Sequence, residues 1–407
     1  MPKCIVCENE LTPDTTPEHV LLNALGGRMT TKKAICSEHN NAFGGTIDRA
    51  LAAQVEVIRN HLQLQSGTKK PPPPLKNLTA GSEKISIGSD GVPRMNVPPF
   101  ETVELPDGRF DVKIMVRTEE ELHHVLPHIA AKLNIPLDQL ERQILSGSAA
   151  IVERRPDTVG HHLAFGGEDA LRSIAKSCLV LLATKVGSDA LKGAAFEDAR
   201  NFVLNGSDAF YSARVHMDAR ELPCASELMV EYGDLFNLIY VKSDGAGRVI
   251  GHFTLYNLVS WQLVLAEAGG VTDTVIALGS DPLTSKWSSN VADRLNVDFG
   301  WLDTFDQTDV QARARKRLEA IAQRYFDNAR EREFGRIVQD VCEKHGIQAE
   351  NEPIPADKLE EINIEVSARV AAHSLGLPFE DKLTPERLRQ LLRVFIRTKI
   401  QLVEVRI

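Results

Sequence analysis

The sequence lacks any apolar run close to the length that crosses a bilayer, about 18 to 20 residues. It also lacks the apolar core of a signal peptide near its first residue. Cysteine is scarce, with 6 in 407 residues, and Cys178, Cys224 and Cys342 are scattered without a pairing pattern. Unpaired, reduced thiols are typical of the cytosol. We therefore expect a cytoplasmic protein with no membrane partner.

An excess of positive charge is lacking too, because the net charge is -9 at pH 7. This balance does not indicate a nucleic-acid-binding protein, although such a protein needs only a local basic path to the phosphate backbone. The sequence leaves open whether the basic residues near its N-terminus form such a path or are ordinary surface charge. They are Arg28, Lys32, Lys33, Lys69 and Lys70.

Two close pairs of metal-binding residues stand near the N-terminus. Cys4 and Cys7 form a C-x2-C pair, and Cys36 and His39 form a C-x2-H pair. Each short loop can present two ligands to one ion, which is the arrangement of a closed tetrahedral zinc site. The alternative is three unrelated thiols near one histidine. The spacing favours zinc.

The residues between and after these pairs indicate a catalytic role in addition to metal binding. They are Glu18-His19-Val20, then Leu25-Gly26-Gly27, then Asn40 directly after His39. Over about residues 1 to 60 the chain resembles the zinc-knuckled branch of the HNH endonucleases. The resemblance implies a ββα-metal fold, in which a strand carries Glu18 and His19, a helix carries Asn40, and zinc holds the two together.

Hydrolysis of a phosphodiester needs an activated water and a cation that stabilises the extra negative charge. A neutral imidazole can activate water near pH 7, so His19 is the expected general base. The resemblance implies that Glu18 and Asn40 hold a catalytic divalent ion, Mg²⁺ or similar, and oxygen ligands suit such an ion. The expected substrate is DNA, with RNA left open.

The segment departs from the family pattern at two positions. The middle Asn of the family, which orients the imidazole, would fall where this chain has Met29 to Lys33. We expect Thr31 or a backbone carbonyl to hold the ring instead. His39 stands where Cys is usual and can still bind zinc. A non-catalytic zinc module that binds nucleic acid therefore remains an alternative.

Beyond this segment the sequence predicts an α+β fold with four parts. They are an HNH nuclease domain at 1–65, a Pro-rich linker at 66–82, an α+β sensor or target-recognition domain at 83–300, and a helical region at 301–407. Four consecutive prolines at 71–74 favour extended polyproline II, which suits a stiff linker.

Hydrophobic periodicity and turn signals predict the individual elements. Trp261 and Phe253 are expected in the core. Strands are predicted at 84–88, 100–105, 110–116, 235–241 and 249–255. Helices are predicted at 46–64, 118–133, 136–145, 170–186, 258–268, 309–345 with an interruption near 334–335, 358–372 and 385–400.

Three further groups have both a functional and an ordinary interpretation. His124 and His128 have helical metal-binding spacing but no acidic or Cys partner nearby, which favours surface histidines. Arg172 and Lys176 follow Gly166-Gly167 at a helix start and could hold an anion, although acidic first-turn residues favour plain helix capping. The basic residues of the last predicted helix suit a phosphate backbone or a dimer contact.

Three functions follow from the sequence. The first is a DNA endonuclease of the bacterial defence type whose larger domain selects the target. The second is a ligand-gated effector, in which a small nucleotide or a protein activator assembles the nuclease as a homo-oligomer. The third is the non-catalytic zinc module.

Overall fold

The computed structural model describes residues 2–116, 119–153, 157–347, 353–375, 377, 379–382, 386, 389 and 403–406. The chain is a mixture of helices and antiparallel sheets, so the α+β prediction is confirmed. No helix within these ranges is long and apolar enough to span a membrane.

The N-terminal 65 residues form a two-stranded hairpin followed by three short helices. The elements are β1 Glu18–His19, β2 Thr30–Thr31, α1 Ser37–Gly45, α2 Ile47–Ala53 and α3 Glu56–His61, with a 3-10 turn at Asn23–Leu25. In the hairpin, Glu18 pairs with Thr31 and His19 with Thr30. The helix predicted at 46–64 is two helices, because the backbone of Val55 leaves the helical region at φ -112° and ψ 4°.

The next segment contains two sets of strands and a helical pair. The elements are β3 Leu75–Ala80, β4 Glu83–Ile87, β5 Pro93–Met95, β6 Phe100–Glu104, β7 Phe110–Val116, α4 Glu119–Leu133, α5 Leu137–Ser146 and β8 Ser148–Glu153. The predicted hairpin of 100–116 is confirmed, with Phe100 opposite Ile114. Its Asp107-Gly108 turn needs glycine, since Gly108 has φ +79°.

Residues 157–306 form a helical layer and a six-stranded antiparallel sheet. The elements are α6 Glu168–Val186, α7 Glu197–Asn205, α8 Asp208–Arg214, β9 Val215–Asp218, α9 Ala225–Tyr232, β10 Asn237–Ser243, β11 Val249–Leu255, β12 Val259–Ala266, β13 Val275–Ser280, β14 Trp287–Ser288, α10 Ala292–Leu295 and α11 Phe299–Leu302, with 3-10 turns at Asp189–Lys192 and Ala194–Phe196. The strand order is β14-β13-β10-β11-β12-β9.

The helix predicted at 258–268 is wrong, because this segment is strand β12 between β11 and β9. Its apolar residues fit both periods in the sequence, but a three-residue connection, Tyr256 to Leu258, decides the outcome, since Leu255 pairs with Val259. Tyr256 and Asn257 both have positive φ, and the amide of Leu258 donates to the carbonyl of Leu255 at 2.9 Å. The two positive φ angles let the chain reverse tightly into a hairpin, here without the usual glycine signal.

The main core lies between helix α6 and one face of this sheet. Trp261 and Phe253 are both buried there, as predicted. The helix comes so close that a Cβ atom at Gly251 would lie 2.9 Å from Cys178 Sγ, which leaves room only for glycine. Apolar residues of the N-terminal segment, including Ile47 and Leu51, belong to the same core. The N-terminal segment is therefore built onto α6.

The C-terminal residues add two helices and two strands. The elements are α12 Val310–Lys344, α13 Ala356–Leu375, β15 Phe379–Lys382 and β16 Val403–Arg406. Helix α12 continues through Phe334 and Gly335 without interruption. Strand β16 pairs with β7 and β8 in a five-stranded sheet of order β15-β8-β16-β7-β6. The basic helix predicted at 385–400 lies outside the described residues except for Glu386 and Arg389.

The chain divides into two compact units. The first contains residues 1–75, 89–91 and 161–326, and the second contains 76–88, 92–160 and 327–407. The N-terminal segment and the six-stranded sheet thus share one unit. A compact unit can hold more than one domain, so the bounds 1–65, 66–82, 83–300 and 301–407 stay predictions.

Candidate metal centre and nuclease site

The four predicted zinc ligands come together in the first unit. The donor atoms of Cys4, Cys7, Cys36 and His39 all lie within 4.8 Å of one another. Cys7 Sγ is 3.8 Å from Cys36 Sγ, which in turn is 3.2 Å from His39 Nδ1. A tetrahedral ion with Zn–S bonds of about 2.3 Å would place two sulfur atoms about 3.8 Å apart. These residues could hold a zinc ion.

Local backbone geometry brings the two pairs together. The amide of Cys4 donates to the carbonyl of Asn9 at 2.8 Å, which closes the loop that presents Cys4 and Cys7. Cys36 is the N-cap of helix α1, so His39 follows on the first turn and faces the same point. The amide of Ile5 donates to the carbonyl of Ala34 at 2.9 Å, which joins the two loops.

Hydrogen bonds to sulfur support this donor set. Asn9 donates from its backbone amide to Cys7 Sγ at 3.5 Å and from Nδ2 to Cys36 Sγ at 3.6 Å. Burial alone would raise the pKa of the Cys36 thiol, but hydrogen bonds from His39, Asn9 and Cys7 lower it to about 7. Burial raises the pKa of Cys4 to about 12, so a metal would have to displace its proton. Sequence reasoning missed Asn9.

Glu18 and His19 lie on β1, where neighbouring side chains point to opposite faces. Glu18 is 2 % exposed, and its Oε1 accepts a hydrogen bond of 2.6 Å from Lys176 Nζ. The same ammonium donates to Asp48 Oδ2, also at 2.6 Å. Ser173 Oγ donates to the other oxygen of Asp48 at 2.6 Å. Glu18 therefore belongs to a buried ion cluster made of Glu18, Asp48 and Lys176.

Lys176 and Asp48 were not predicted as site residues, but the sequence contained a signal for Lys176. It stands inside an apolar helix whose residues 173–183 are all buried. A lysine in such a run must find a buried anion, since an unpaired charge is costly there. Arg172 donates to Asp169 and to the carbonyls of residues 203 and 204, which agrees with the favoured interpretation of this helix start as ordinary capping.

Asn40 lies on α1, and its amide group is fixed beside the start of β1. Its Nδ2 donates to the carbonyl oxygens of Thr16 at 3.3 Å and Pro17 at 3.1 Å. Asn40 Oδ1 makes no hydrogen bond within the described residues. Because Thr16 and Pro17 directly precede Glu18, the strand and the helix are joined at this point, with the carbonyl oxygen of Asn40 available to a cation.

The surroundings of His19 keep its imidazole neutral. Burial lowers its pKa first, the nearby Lys176 ammonium lowers it further, and Asp48 opposes this. The pKa of Glu18 is raised by burial, against the influence of Lys176. Thr31, which was expected to hold the His19 ring, instead accepts a hydrogen bond from the amide of Lys33. In the described part of the chain, the ring of His19 makes no hydrogen bond.

Residues 4–56 match the HNH endonuclease family. The matched residues, called the HNH segment from here on, include the four zinc donors, Glu18, His19, Asn40 and Asp48, but not Lys176. No curated protein and no solved structure matches the chain. The match supports a nuclease of the HNH type, which implies a nucleic-acid substrate.

The remaining candidates do not form metal sites in the described ranges. His124 and His128 stack edge to face with centroids 5.4 Å apart, but among these residues only the four zinc donors form a group of three or more close ligands. Arg28, Lys32, Lys33, Lys69 and Lys70 are all exposed, so both interpretations of that basic group stay open.

Proposed function

We propose that the protein is a metal-dependent endonuclease that hydrolyses DNA phosphodiester bonds. The HNH segment supports a nuclease, and the observation that carries the proposed site is the fixed amide of Asn40. Asn40 Nδ2 is anchored to the carbonyls of Thr16 and Pro17, which precede Glu18 in the chain, and Asn40 Oδ1 makes no hydrogen bond in the described structure. The second carboxylate oxygen of Glu18 makes none among the described residues either. Two hard oxygen donors of this kind suit Mg²⁺.

In the proposed reaction His19 accepts a proton from water at an imidazole nitrogen, and the resulting hydroxide attacks phosphorus. The bond from phosphorus to the 3′ oxygen then breaks. Glu18 and Asn40 would hold the divalent ion, which would supply positive charge to stabilise the phosphorane and the leaving oxygen. The zinc site would act only structurally, since its four protein ligands leave no open position.

We further propose that the protein acts as a defence-type nuclease in the cytoplasm. The HNH domain would occupy 1–65, followed by a linker at 66–82. The segments at 83–300 and 301–407 would then recognise a target or an activator. These assignments rest on the architecture alone.

Plasmid cleavage tests the activity. We expect Mg²⁺-dependent cleavage by the wild-type protein and a loss of about 10²- to 10⁴-fold in His19→Ala, the usual contribution of a general base. Zinc content should stay unchanged, because His19 is not one of the four donors. His162→Ala is the matched control, since His162 is exposed in the same unit. Equal cleavage by wild type and His19→Ala, or none by either, would favour the non-catalytic zinc module.

A further inference from the structure

Lys176 sits between two carboxylates that could otherwise bind a cation. Its Nζ is 2.6 Å from Glu18 Oε1 and 2.6 Å from Asp48 Oδ2, and the lysine side chain is 1 % exposed. The Phe43 ring lies 5.9 Å from the same ammonium. Asp48 is held in turn by Ser173. The ammonium thus has fixed partners.

Burial of a lysine at this position needs a reason, because the desolvation of an ammonium is costly. Glu18 and Asp48 both come from the HNH segment, whereas Lys176 comes from helix α6, outside the matched residues. Helix α6 therefore places a positive charge beside Glu18, the carboxylate that would bind the divalent ion in the proposed function. One oxygen of Glu18 is bound to the ammonium, and the other is left for the ion.

We propose that Lys176 is a positioning residue, a built-in counter-ion that limits how tightly the HNH site binds its divalent ion. This inference rests on the proposed function, because it concerns the ion assigned there to Glu18 and Asn40. The ammonium repels a second cation at Glu18 and neutralises part of the negative charge that would attract it. Removing the ammonium frees both carboxylates.

Two opposing effects decide the direction of the change. Loss of a supporting hydrogen bond to a ligand usually weakens metal binding by about 10- to 100-fold. Loss of a positive charge a few ångströms from a divalent ion strengthens binding, and in a buried site this Coulomb effect is the larger of the two. We therefore expect Lys176→Met to bind Mn²⁺ about tenfold more tightly or better. A purely structural role predicts weaker binding.

The test measures Mn²⁺ affinity by electron paramagnetic resonance of free Mn²⁺, using the zinc-loaded full chain. Lys176→Met should bind Mn²⁺ more tightly than wild type, and Asp48→Asn should bind it less tightly, because the ammonium then pairs with Glu18 alone. Lys185→Met is the control for a general change in charge, since Lys185 is exposed on the same helix. It should leave the affinity near the wild-type value.

The double variant Lys176→Met/Asp48→Asn keeps the test valid if Lys176→Met does not fold. It should bind Mn²⁺ more tightly than Asp48→Asn alone, because Glu18 is then free of the ammonium. Shifts of Lys176→Met and Asp48→Asn in the same direction, or a Lys176→Met affinity equal to that of Lys185→Met, would overturn the inference. Opposite shifts in a protein that cuts no DNA would refute the proposed function and leave the counter-ion role standing.

Discussion

Two clusters in the first unit bring charged or metal-binding side chains together in different ways. The zinc donors Cys4, Cys7, Cys36 and His39 converge on one point and could hold a zinc ion taken from solution. The cluster of Glu18, Asp48 and Lys176 has a cation of its own. The first cluster would depend on the supply of metal, whereas the second is completed by folding alone. The stability of the HNH segment should therefore respond to chelators at one cluster and to substitution at the other.

The largest expected effect is loss of the zinc site. Cys36→Ser removes a thiolate whose sulfur lies near both Cys7 and His39, and structural zinc sites contribute on the order of 10 kcal/mol of binding free energy. We expect loss of bound zinc and rapid hydrogen exchange over residues 4–45, with the six-stranded sheet still protected. Zinc analysis and hydrogen-exchange mass spectrometry measure both changes.

Cys342→Ser is the control for the zinc prediction, because Cys342 lies in the second unit and is not one of the four donors. Its zinc content and exchange pattern should match those of wild type. Unchanged zinc content in Cys36→Ser would contradict the prediction that these four donors hold the ion, and the contrast between the two clusters would be lost.

The next effect in size is loss of the internal cation. Removing one partner of a buried ion pair costs about 3–5 kcal/mol, because the other charge remains buried without compensation. Lys176→Met should therefore lower the free energy of unfolding by about this amount in the absence of divalent ions. Mn²⁺ should restore part of the loss, since the freed carboxylates can then bind it. Urea unfolding with and without Mn²⁺ measures both effects.

Lys185→Met provides the comparison for stability as well. Among the described residues, the exposed ammonium of Lys185 donates to the carbonyl of Val275 alone, so the expected change is below about 1 kcal/mol. A Lys176→Met protein as stable as Lys185→Met would mean that the buried cluster contributes nothing to the docking of the HNH segment on α6.

The same contrast explains how much of the site could be predicted from the sequence. Within each pair the two zinc donors are three residues apart, so their spacing is visible along the chain. Lys176 and Glu18 are 158 positions apart, and only the packing of α6 on the HNH segment brings them together. The ββα order around Glu18, His19 and Asn40 follows from a family resemblance. In the sequence, Asp48 is only an acidic residue near the start of a predicted helix, and nothing else marks it as part of the site.

The fold shows the same limit. Periodicity predicted α6 and the hairpin of β10 and β11 because each has one dominant pattern. Strand β12 was predicted as a helix, since its apolar run fits either period and its turn, Tyr256-Asn257, lacks glycine. Pairing with β9, a strand some forty positions earlier, settles the structure, and no local pattern reports that pairing.

A third cluster sharpens the comparison, because it holds two potential cations and no anion. Nε2 of His61 lies 3.0 Å from Nε2 of His161, and no ion pair joins either ring to a carboxylate within the described residues. Burial lowers the pKa of both imidazoles, and for His61 the neighbouring His161 adds to the effect. Both shifts favour the neutral form of the rings in the folded protein.

The smallest expected effect is a pH dependence from this pair. The unfolded chain binds protons near pH 6.5 while the folded pair still resists them, so stability falls as the pH drops below about 6.5. His61→Gln should make this fall shallower, as measured by urea unfolding at pH 7.5 and pH 5.5. His162→Gln should leave it unchanged, because His162 is exposed. Equal slopes for His61→Gln and wild type would mean that the folded pair binds protons as readily as the unfolded chain. The two rings could then carry positive charge together without a neighbouring carboxylate.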